Sequence, residues 1–285
     1  MDFTSQLTIL IDNALKEDIG PGDYSTLSTI GDNEKGKAVL KIKQDGILAG
    51  VDVAETIFKR VEPEASFLKL KNDGEEMKYG EIAFEVFAKV HTILMCERLV
   101  LNTMQRMSGI ATLAHKYVKK LEGYNTRLLD TRKTTPNFRL LEKEAVRIGG
   151  AVNHRFGLYD MVMLKDNHID YSGGIEKAIN SAYDYLKKNN LNLKIEVETR
   201  NIDDVKRVLA NGKVDRIMLD NFKPEEIREA LKLIDHTYET EASGGINYDN
   251  LEEYAATGVD YISSGAIIHQ AVSLDLSLKA QIIPR

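Results

Sequence analysis

The feature that most constrains the fold is an alternation of short apolar segments and helical segments that begins after Gly123. Parallel strands with helices packed on their outer side produce this alternation. The pattern therefore predicts an α/β fold with a small or incomplete TIM-like barrel rather than an open sheet. Six strands are predicted, with the sequences TRLLDT, MVMLKD, KIEVET, RIMLDN, TEASGG and DYISSGA. The helices predicted between them are IEKAINSAYDYLKKN, IDDVKRVLAN, PEEIREALKLI and YDNLEEYAAT.

The chain before this alternation has the pattern of a smaller α+β unit. Leu7 to Leu15 follow helical spacing, and Gly20-Pro21-Gly22 ends that helix. The segments KAVLKIKQ, ASFLKLK and EIAFEVFAKV predict strands, which we expect to be antiparallel, and ETIFKRV predicts a helix. A long helix is predicted from Thr92, with a break at Ser108-Gly109 before a second helix that ends at Lys120.

Charge and composition limit the classes of partner. The 285 residues are 43% hydrophobic, enough for a sizeable core, and the formal net charge is -6. This charge argues against a general nucleic-acid or acidic-membrane binder. The segment from Arg127 to Lys165 is an exception, because it contains eight basic and four acidic residues. A basic segment in an acidic chain predicts a small anionic ligand.

Three further absences in the sequence narrow the class of protein. Cys96 is the single cysteine, so an internal disulfide and a cysteine-rich metal site are excluded. The sequence has no signal-peptide pattern at its start and no apolar run long enough to span a bilayer, which predicts a cytoplasmic protein. No G-x-G-x-x-G motif follows a strand, so a dinucleotide-binding fold has no support.

Each predicted barrel strand is apolar for several residues and then ends in polar side chains. Because barrel chemistry takes place at the carboxyl ends of the strands, these residues are the candidates for a site. The first two strands end in cations, which suit carboxylates. The middle strands end in Glu198 and Asp220, whose carboxylates suit Mg²⁺ or ribose hydroxyls. The polar residues at the six ends are Asp130, Arg132 and Lys133; Lys165, Asp166 and His168; Glu198; Asp220 and Asn221; Ser243, Gly244 and Gly245; and Ser263, Ser264 and Gly265.

The last two strand ends differ from the others, because they offer small residues, hydroxyls and free backbone N–H groups ahead of helices. Such ends suit a phosphate, and barrel enzymes often bind phosphate after their last two strands. The ends together predict a phosphorylated sugar with a metal ion, bound beside a small carboxylic acid.

The same residues resemble one known family over nearly the whole chain, the quinolinate phosphoribosyltransferases, also called nicotinate-nucleotide pyrophosphorylases (carboxylating). The motifs that carry the resemblance occur in the family's order. They are LKEDIGPGDYST, ERLVLNTMQRMSGIAT, DTRKTTPNFR, GGAVNHRFGLYDMVMLKDNH, LDN, EASGGI and GVDYISSGAI. DTRKTTP and the pair NHR and KDNH are specific, whereas LDN alone is not.

The resemblance implies a fold and a reaction. The fold is an N-terminal α/β sandwich domain, residues 1–107, followed by an incomplete α/β barrel of six or seven parallel strands, residues 108–269, with the tail 270–285 returning to the first domain. In the reaction, quinolinate and phosphoribosyl pyrophosphate give nicotinate mononucleotide, pyrophosphate and CO₂ with Mg²⁺, a step of NAD biosynthesis. The family also implies a homodimer or higher homo-oligomer.

The resemblance also assigns roles to residues. The quinolinate pocket falls on Arg98 from the neighbouring subunit and on Arg132, His154, Arg155 and Lys165. Lys133 lies between the two substrates, and Glu198 and Asp220 lie near the ribose and the metal. The phosphate side falls on Ser243, Gly244, Gly265 and His269. The expected catalytic residues are Lys165, Lys133, Glu198 and Asp220.

Two assignments stay open at this point. Glu196 and Glu198 point to the same side of a strand, so either is a candidate ligand. His154 either contacts the substrate or holds Arg155.

Other functions compete with this prediction. Lys165 could form a Schiff base in a class I aldolase. A phosphate-binding decarboxylase with the pattern D-x-K-x-x-D is disfavoured, because Met163 and His168 occupy the two Asp positions around Lys165. A paralogue that binds another aromatic carboxylate or a sugar phosphate without catalysis is the non-enzyme alternative.

Overall fold

The computed structural model describes residues 2–281 and divides the chain into two compact units. The first unit contains the chain up to His115, Thr134–Gly150 and the chain from Ile268 onward. The second contains Lys116–Lys133 and Ala151–Ile267. The predicted boundary between residues 107 and 108 lies inside a helix that begins at Val90 and ends at Lys120.

The helices and strands follow one another along the chain in this order. The first half contains α1 Phe3–Ile19, α2 Tyr24–Thr29, β1 Lys35–Ile42, β2 Gly46–Ile47, α3 Val51–Val61, β3 Ser66–Lys69, β4 Glu76–Met77, β5 Ile82–Lys89, α4 Val90–Lys120, β6 Arg127–Leu129 and α5 Arg139–Ile148. The second half contains β7 Val162–Leu164, α6 Asp166–Ser172, α7 Ile175–Lys188, β8 Ile195–Thr199, α8 Ile202–Asn211, β9 Arg216–Asp220, α9 Pro224–Ile234, β10 Glu239–Ser243, α10 Leu251–Ala255, β11 Tyr261–Ser263, α11 Ala266–His269 and β12 Leu276–Gln281.

The first unit is built on an antiparallel sheet with the strand order β12-β1-β5-β3. An aromatic cluster of Phe58, Phe67 and Phe84 packs beside this sheet, with ring centroids 4.5 to 6.2 Å apart. The predicted α+β unit with antiparallel strands is therefore confirmed. Strand β12 comes from the tail of the chain and pairs with β1, while residues 282–285 of the predicted tail lie outside the described residues.

The predicted helix break at Ser108-Gly109 is wrong, because α4 continues through both residues. They serve close packing instead. A Cβ atom on Gly109 would lie 2.1 Å from the carbonyl oxygen of Val272, so only glycine allows that segment to lie against the helix. The Ser108 hydroxyl accepts a hydrogen bond of 3.0 Å from the backbone N–H of Ala49.

The second unit is a parallel sheet with the strand order β6-β11-β10-β9-β8-β7, which confirms the six predicted strands. Val152 adds a single parallel bridge to Leu129 on the free side of β6. It stands in the chain position of a seventh strand, between β6 and β7. Among residues 2–281, no backbone pairing joins Val152 to β7, so hydrogen bonds do not close the barrel.

Alternation along the central strands places apolar and polar side chains on opposite faces. On β8, buried Val197 separates Glu196 from Glu198, and on β9 buried Ile217 and Leu219 flank Met218. One face of β8 therefore carries both Glu196 and Glu198, as the alternation predicts. Within residues 2–281, none of the helices has the length and apolar character needed to cross a membrane.

Candidate active site

The loop after β6 begins the site. Asp130 is buried, and its Oδ1 accepts a hydrogen bond of 2.7 Å from the backbone N–H of His154. This contact ties the loop that contains Arg132 to the segment that contains Arg155. Arg132 is partly buried and Lys133 is exposed.

His154 is buried, and both of its ring nitrogens are engaged. Nδ1 accepts a hydrogen bond of 2.7 Å from the backbone N–H of Arg155. Nε2 lies 3.0 Å from Oε2 of Glu196 and 3.1 Å from Oε2 of Glu241. A ring that accepts at Nδ1 carries its proton on Nε2, so the contacts assign a neutral imidazole whose N–H faces the two carboxylates.

The two glutamates favour positive charge at His154. Burial alone would lower the pKa of His154, but the contacts with Glu196 and Glu241 outweigh burial and raise this pKa, while the Arg155 N–H at Nδ1 opposes a second proton. A second proton would sit on Nδ1, opposite the Arg155 N–H, and two donors would then face each other. Protonation of His154 therefore requires loss of the Arg155 hydrogen bond, and the contacts seen here are those of the neutral ring.

Arg216 is a cation that joins Glu241 to Glu239. The Arg216 guanidinium lies 3.2 Å from Glu241 and 3.1 Å from Glu239, and its Cζ lies 4.3 Å from the ring centroid of Tyr261. We call the four residues that meet here the buried cluster, defined as His154, Glu196, Arg216 and Glu241. All four are buried.

Arg132 and Arg155, which we call the cationic pair, are close enough for their charges to interact. Burial and the charge of Arg132 lower the pKa of Arg155. The Arg155 side chain donates a hydrogen bond of 3.3 Å to the carbonyl of Met161, a bond to a neutral group. Two guanidinium groups whose charges repel each other favour an anion between them.

Lys165, Glu198 and Asp220 meet at the carboxyl ends of β7, β8 and β9. The Lys165 ammonium lies 3.5 Å from Glu198, and the Lys165 side chain is half exposed. Burial raises the pKa of Glu198, the charge of Lys165 lowers it, and the charge of Asp220 raises it. With Ser243, whose hydroxyl donates to Asp220, these residues form what we call the edge cluster, defined as Lys165, Glu198, Asp220 and Ser243.

The turn after β10 depends on Gly244. Its φ is +93°, and a Cβ atom there would lie 2.3 Å from Oδ1 of Asn221. The backbone N–H of Asn221 donates to the carbonyl of Ser243, so the ends of β9 and β10 are joined at this point. The helix predicted in YDNLEEYAAT is confirmed as the shorter α10, which begins at Leu251.

The remaining predicted residues have the following places. Gly265 is partly buried and directly precedes the four-residue helix α11, which ends at the exposed His269. Arg98 is exposed on α4. Both Arg98 and His269 belong to the first unit, so their place beside the other candidate residues stays a prediction.

The two glutamates of β8 have different surroundings. Glu196 contacts His154 in the buried cluster, whereas Glu198 contacts Lys165 in the edge cluster. Sequence reasoning identified neither Glu241 nor Arg216 as a partner of the site. The available signal was the spacing of Glu241 and Ser243, which places both on one face of β10.

Comparison with known proteins finds relatives along nearly the whole chain. Residues 23–108 match the family model for the quinolinate phosphoribosyl transferase N-terminal domain, and residues 110–279 match that for the C-terminal domain. The chain is 43% identical to quinolinate phosphoribosyltransferase (decarboxylating) 1b of Nicotiana tabacum, over 97% of this chain and 83% of that protein. It is 40% identical to the probable nicotinate-nucleotide pyrophosphorylase (carboxylating) of Bacillus subtilis (strain 168), over 96% of this chain and 93% of that protein.

Solved structures give the same result for the fold. The structure of NadC from Streptococcus pyogenes superposes with a TM-score of 0.89 at 39% identity and covers 96% of each chain. The nicotinate-nucleotide pyrophosphorylase from Francisella tularensis superposes with a TM-score of 0.88 at 38% identity, over 97% of this chain and 96% of that one. With both family models matched along nearly its whole length, the chain belongs to the quinolinate phosphoribosyltransferase family.

Proposed function

We propose that this chain transfers a phosphoribosyl group from phosphoribosyl pyrophosphate to quinolinate with decarboxylation, which gives nicotinate mononucleotide, pyrophosphate and CO₂. The single observation that carries the proposal is the contact of Lys165 with Glu198 in the edge cluster, in the same unit as the cationic pair Arg132 and Arg155. The pair offers planar forks for a dicarboxylate, and the edge cluster offers carboxylates for a ribose and a metal.

Quinolinate suits the cationic pair because it carries two adjacent carboxylates on a pyridine ring. Each guanidinium can bind one carboxylate through two parallel hydrogen bonds. Binding of the dianion also removes the repulsion between Arg132 and Arg155. Both the attraction of the carboxylates and the relief of this repulsion are electrostatic, so the affinity for quinolinate should fall with rising salt concentration.

The chemistry needs positioning and charge neutralisation rather than a nucleophilic side chain. The bond from ribose C1 to pyrophosphate breaks, and the ring nitrogen of quinolinate attacks the oxocarbenium-like carbon. The nitrogen is then cationic, so the neighbouring carboxylate can leave as CO₂, with its electron pair stabilised by the pyridinium until a proton replaces it. Lys165 extends between the two substrates and neutralises their negative charge, with Lys133 as the second ammonium.

The chemistry of Glu198 and Asp220 fits Mg²⁺, which prefers carboxylate oxygens. Burial and the charge of Asp220 raise the pKa of Glu198, so a dication beside the two carboxylates would stabilise their ionised forms. When bound, Mg²⁺ would neutralise the charge of the pyrophosphate group. The phosphate groups would lie against Ser243, Gly244, Gly265 and His269.

The proposal extends to the assembly and its location. A homodimer would bring Arg98 of one subunit to the quinolinate site of the other, and the enzyme would act in the cytoplasm. Mixing Arg98→Ala and Lys165→Ala subunits tests the first point. If Arg98 acts across the interface, the mixture regains activity that each variant lacks alone.

Product analysis tests the activity itself. The purified protein is incubated with phosphoribosyl pyrophosphate, Mg²⁺ and either quinolinate or nicotinate, which lacks the second carboxylate. We expect nicotinate mononucleotide from quinolinate and at least a hundredfold lower rate with nicotinate, because the cationic pair then lacks one of its two anions. Equal rates with both acids, or no product from quinolinate, would contradict the proposal.

A further inference from the structure

The buried cluster contains three charged side chains for which the proposed reaction has no direct use. Glu196 and Glu241 are fully buried, and Arg216 is nearly so. Buried carboxylates are costly unless a specific contact requires them. Their shared neighbour is Nε2 of His154, which lies 3.0 and 3.1 Å from their oxygens.

A metal ion is one reading of this arrangement, since His154, Glu196 and Glu241 place ligand atoms within 4.8 Å of one another. Two contacts argue against it. Nδ1 of His154 accepts from a backbone N–H, so Nε2 carries the proton and has no lone pair for a metal. The Arg216 guanidinium also lies 3.2 Å from Glu241, where it competes with a cation.

The contacts instead fix the protonation of His154. Nε2 faces oxygens of both Glu196 and Glu241, and a neutral ring that donates there must accept at Nδ1. The opposite tautomer would place two donors face to face at Nδ1 and acceptors face to face at Nε2. The carboxylates therefore determine that Nδ1 is an acceptor for the Arg155 N–H.

The Arg155 segment is held closely on both sides of this hydrogen bond. The backbone N–H of His154 donates to Asp130, and those of Phe156 and Gly157 donate to Asp160, at 2.6 and 2.8 Å. The Arg155 side chain then reaches the carbonyl of Met161. The backbone of Arg155 itself is fixed by Nδ1 of His154, which makes that nitrogen the link between the glutamates and the guanidinium.

We infer that Glu241, together with Glu196 and Arg216, is a positioning residue that acts through the tautomer of His154. The tautomer places Arg155 for the carboxylates of quinolinate, so the inference rests on the proposed quinolinate site. His154 is then a holder of Arg155 and does not contact the substrate with Nε2. Removal of the Glu241 charge loosens the ring and the Arg155 backbone, which weakens quinolinate binding more than phosphoribosyl pyrophosphate binding.

The chain offers a matched control on the same strand. Glu239 also pairs with Arg216 but contacts Lys194 instead of His154. We expect Glu241→Gln to raise the KM for quinolinate about tenfold, the lower end of the loss seen when outer partners of binding groups are removed. The KM for phosphoribosyl pyrophosphate should change less than twofold, and Glu239→Gln should change both constants less than twofold.

A double-mutant cycle separates positioning from a general structural role. Arg155→Ala alone should raise the KM for quinolinate, and the addition of Glu241→Gln should raise it no further. An additive effect, or equal effects of Glu241→Gln and Glu239→Gln, would overturn the inference.

Nitrogen NMR of the wild-type protein keeps the inference testable even if Glu241→Gln does not fold. The His154 ring signals, assigned by their absence from His154→Gln, should show the proton on Nε2 at neutral pH. A proton on Nδ1 would overturn the positioning role in an otherwise active enzyme. A wild-type protein without quinolinate turnover would instead refute the proposed function, so the two failures are distinguishable.

Discussion

The buried cluster and the edge cluster lie along the same strands of one sheet but have opposite character. On β8, Glu196 and Glu198 are two residues apart and share a face, yet the first is fully buried against His154 and the second contacts the half-exposed Lys165. In the buried cluster, the charges contact one another. In the edge cluster, Lys165 stays exposed at the ends of the strands. Charges that are buried together can orient their neighbours, whereas charges that reach the strand ends are available for a ligand.

The largest expected effect is a loss of stability when a charge partner is removed from the buried cluster. Arg216→Met leaves the carboxylate of Glu241 buried without its guanidinium partner, so the free energy of unfolding should fall by about 3–5 kcal/mol. The control is Arg228→Met, which removes an exposed arginine paired with the exposed Glu225 and should cost about 0–1 kcal/mol. Urea denaturation gives both values. Equal losses in the two variants would show that burial of the cluster does not matter.

The second prediction concerns activity. Lys165→Ala removes the edge-cluster cation, so kcat should fall by about 10²–10³, the cost of removing one group that stabilises transition-state charge. Its unfolding free energy should change by only about 0–1 kcal/mol, because the ammonium is half exposed. Steady-state kinetics checks the first value. Lys194→Ala is the control, since Lys194 is similarly exposed and pairs with Glu239 at the other end of the strands. Near-normal turnover of Lys165→Ala would remove Lys165 from the mechanism.

A third prediction tests the backbone at the edge cluster. Gly244→Ala would force a Cβ atom to within 2.3 Å of the Asn221 side chain at a φ of +93°, so the unfolding free energy should fall by about 1–3 kcal/mol. The KM for phosphoribosyl pyrophosphate should also rise. At Gly245, where φ is +65° and no atom lies within 4 Å of an added Cβ, Gly245→Ala should cost less. A larger loss at Gly245 would contradict the assignment of the close contact.

The smallest expected effect distinguishes the two glutamates of β8. Glu198→Gln should raise the Mg²⁺ concentration for half-maximal activity about tenfold, as loss of one carboxylate ligand weakens a hard-cation site. Glu196→Gln should leave that concentration unchanged and should affect the KM for quinolinate instead. Titration of activity with Mg²⁺ measures both. A shift for Glu196→Gln alone would exchange the roles of the two residues.

The sequence predicted much of the fold because strands and helices leave periodic apolar patterns. All six parallel strands were found, since each has an apolar run that ends in polar residues. Val152 was not predicted as a seventh strand, because a single β-bridge leaves no run of apolar residues in the sequence. The break at Ser108-Gly109 was wrong because the contact that selects Gly109 comes from Val272, a residue distant in sequence.

The candidate site was predictable to a similar degree and for a similar reason. Lys165, Glu198 and Asp220 stand at strand ends, so their approach follows from the order of parallel strands. The buried cluster joins β8, β9 and β10 to the segment before β7, and its partners depend on strand register, which the sequence does not reveal. Alternation showed that Glu196 shares a face with Glu198 but not that His154 lies against it.

One measurement tests the central claim, that the residues at the strand ends carry out transfer and decarboxylation together. Quinolinate labelled in the carboxyl group beside the ring nitrogen is incubated with phosphoribosyl pyrophosphate and Mg²⁺, and CO₂ and pyrophosphate are counted in the same sample. The account predicts equal amounts of the two products, with both rates reduced in parallel in Lys165→Ala. A folded wild-type protein that releases neither product, or releases pyrophosphate without labelled CO₂, would contradict it.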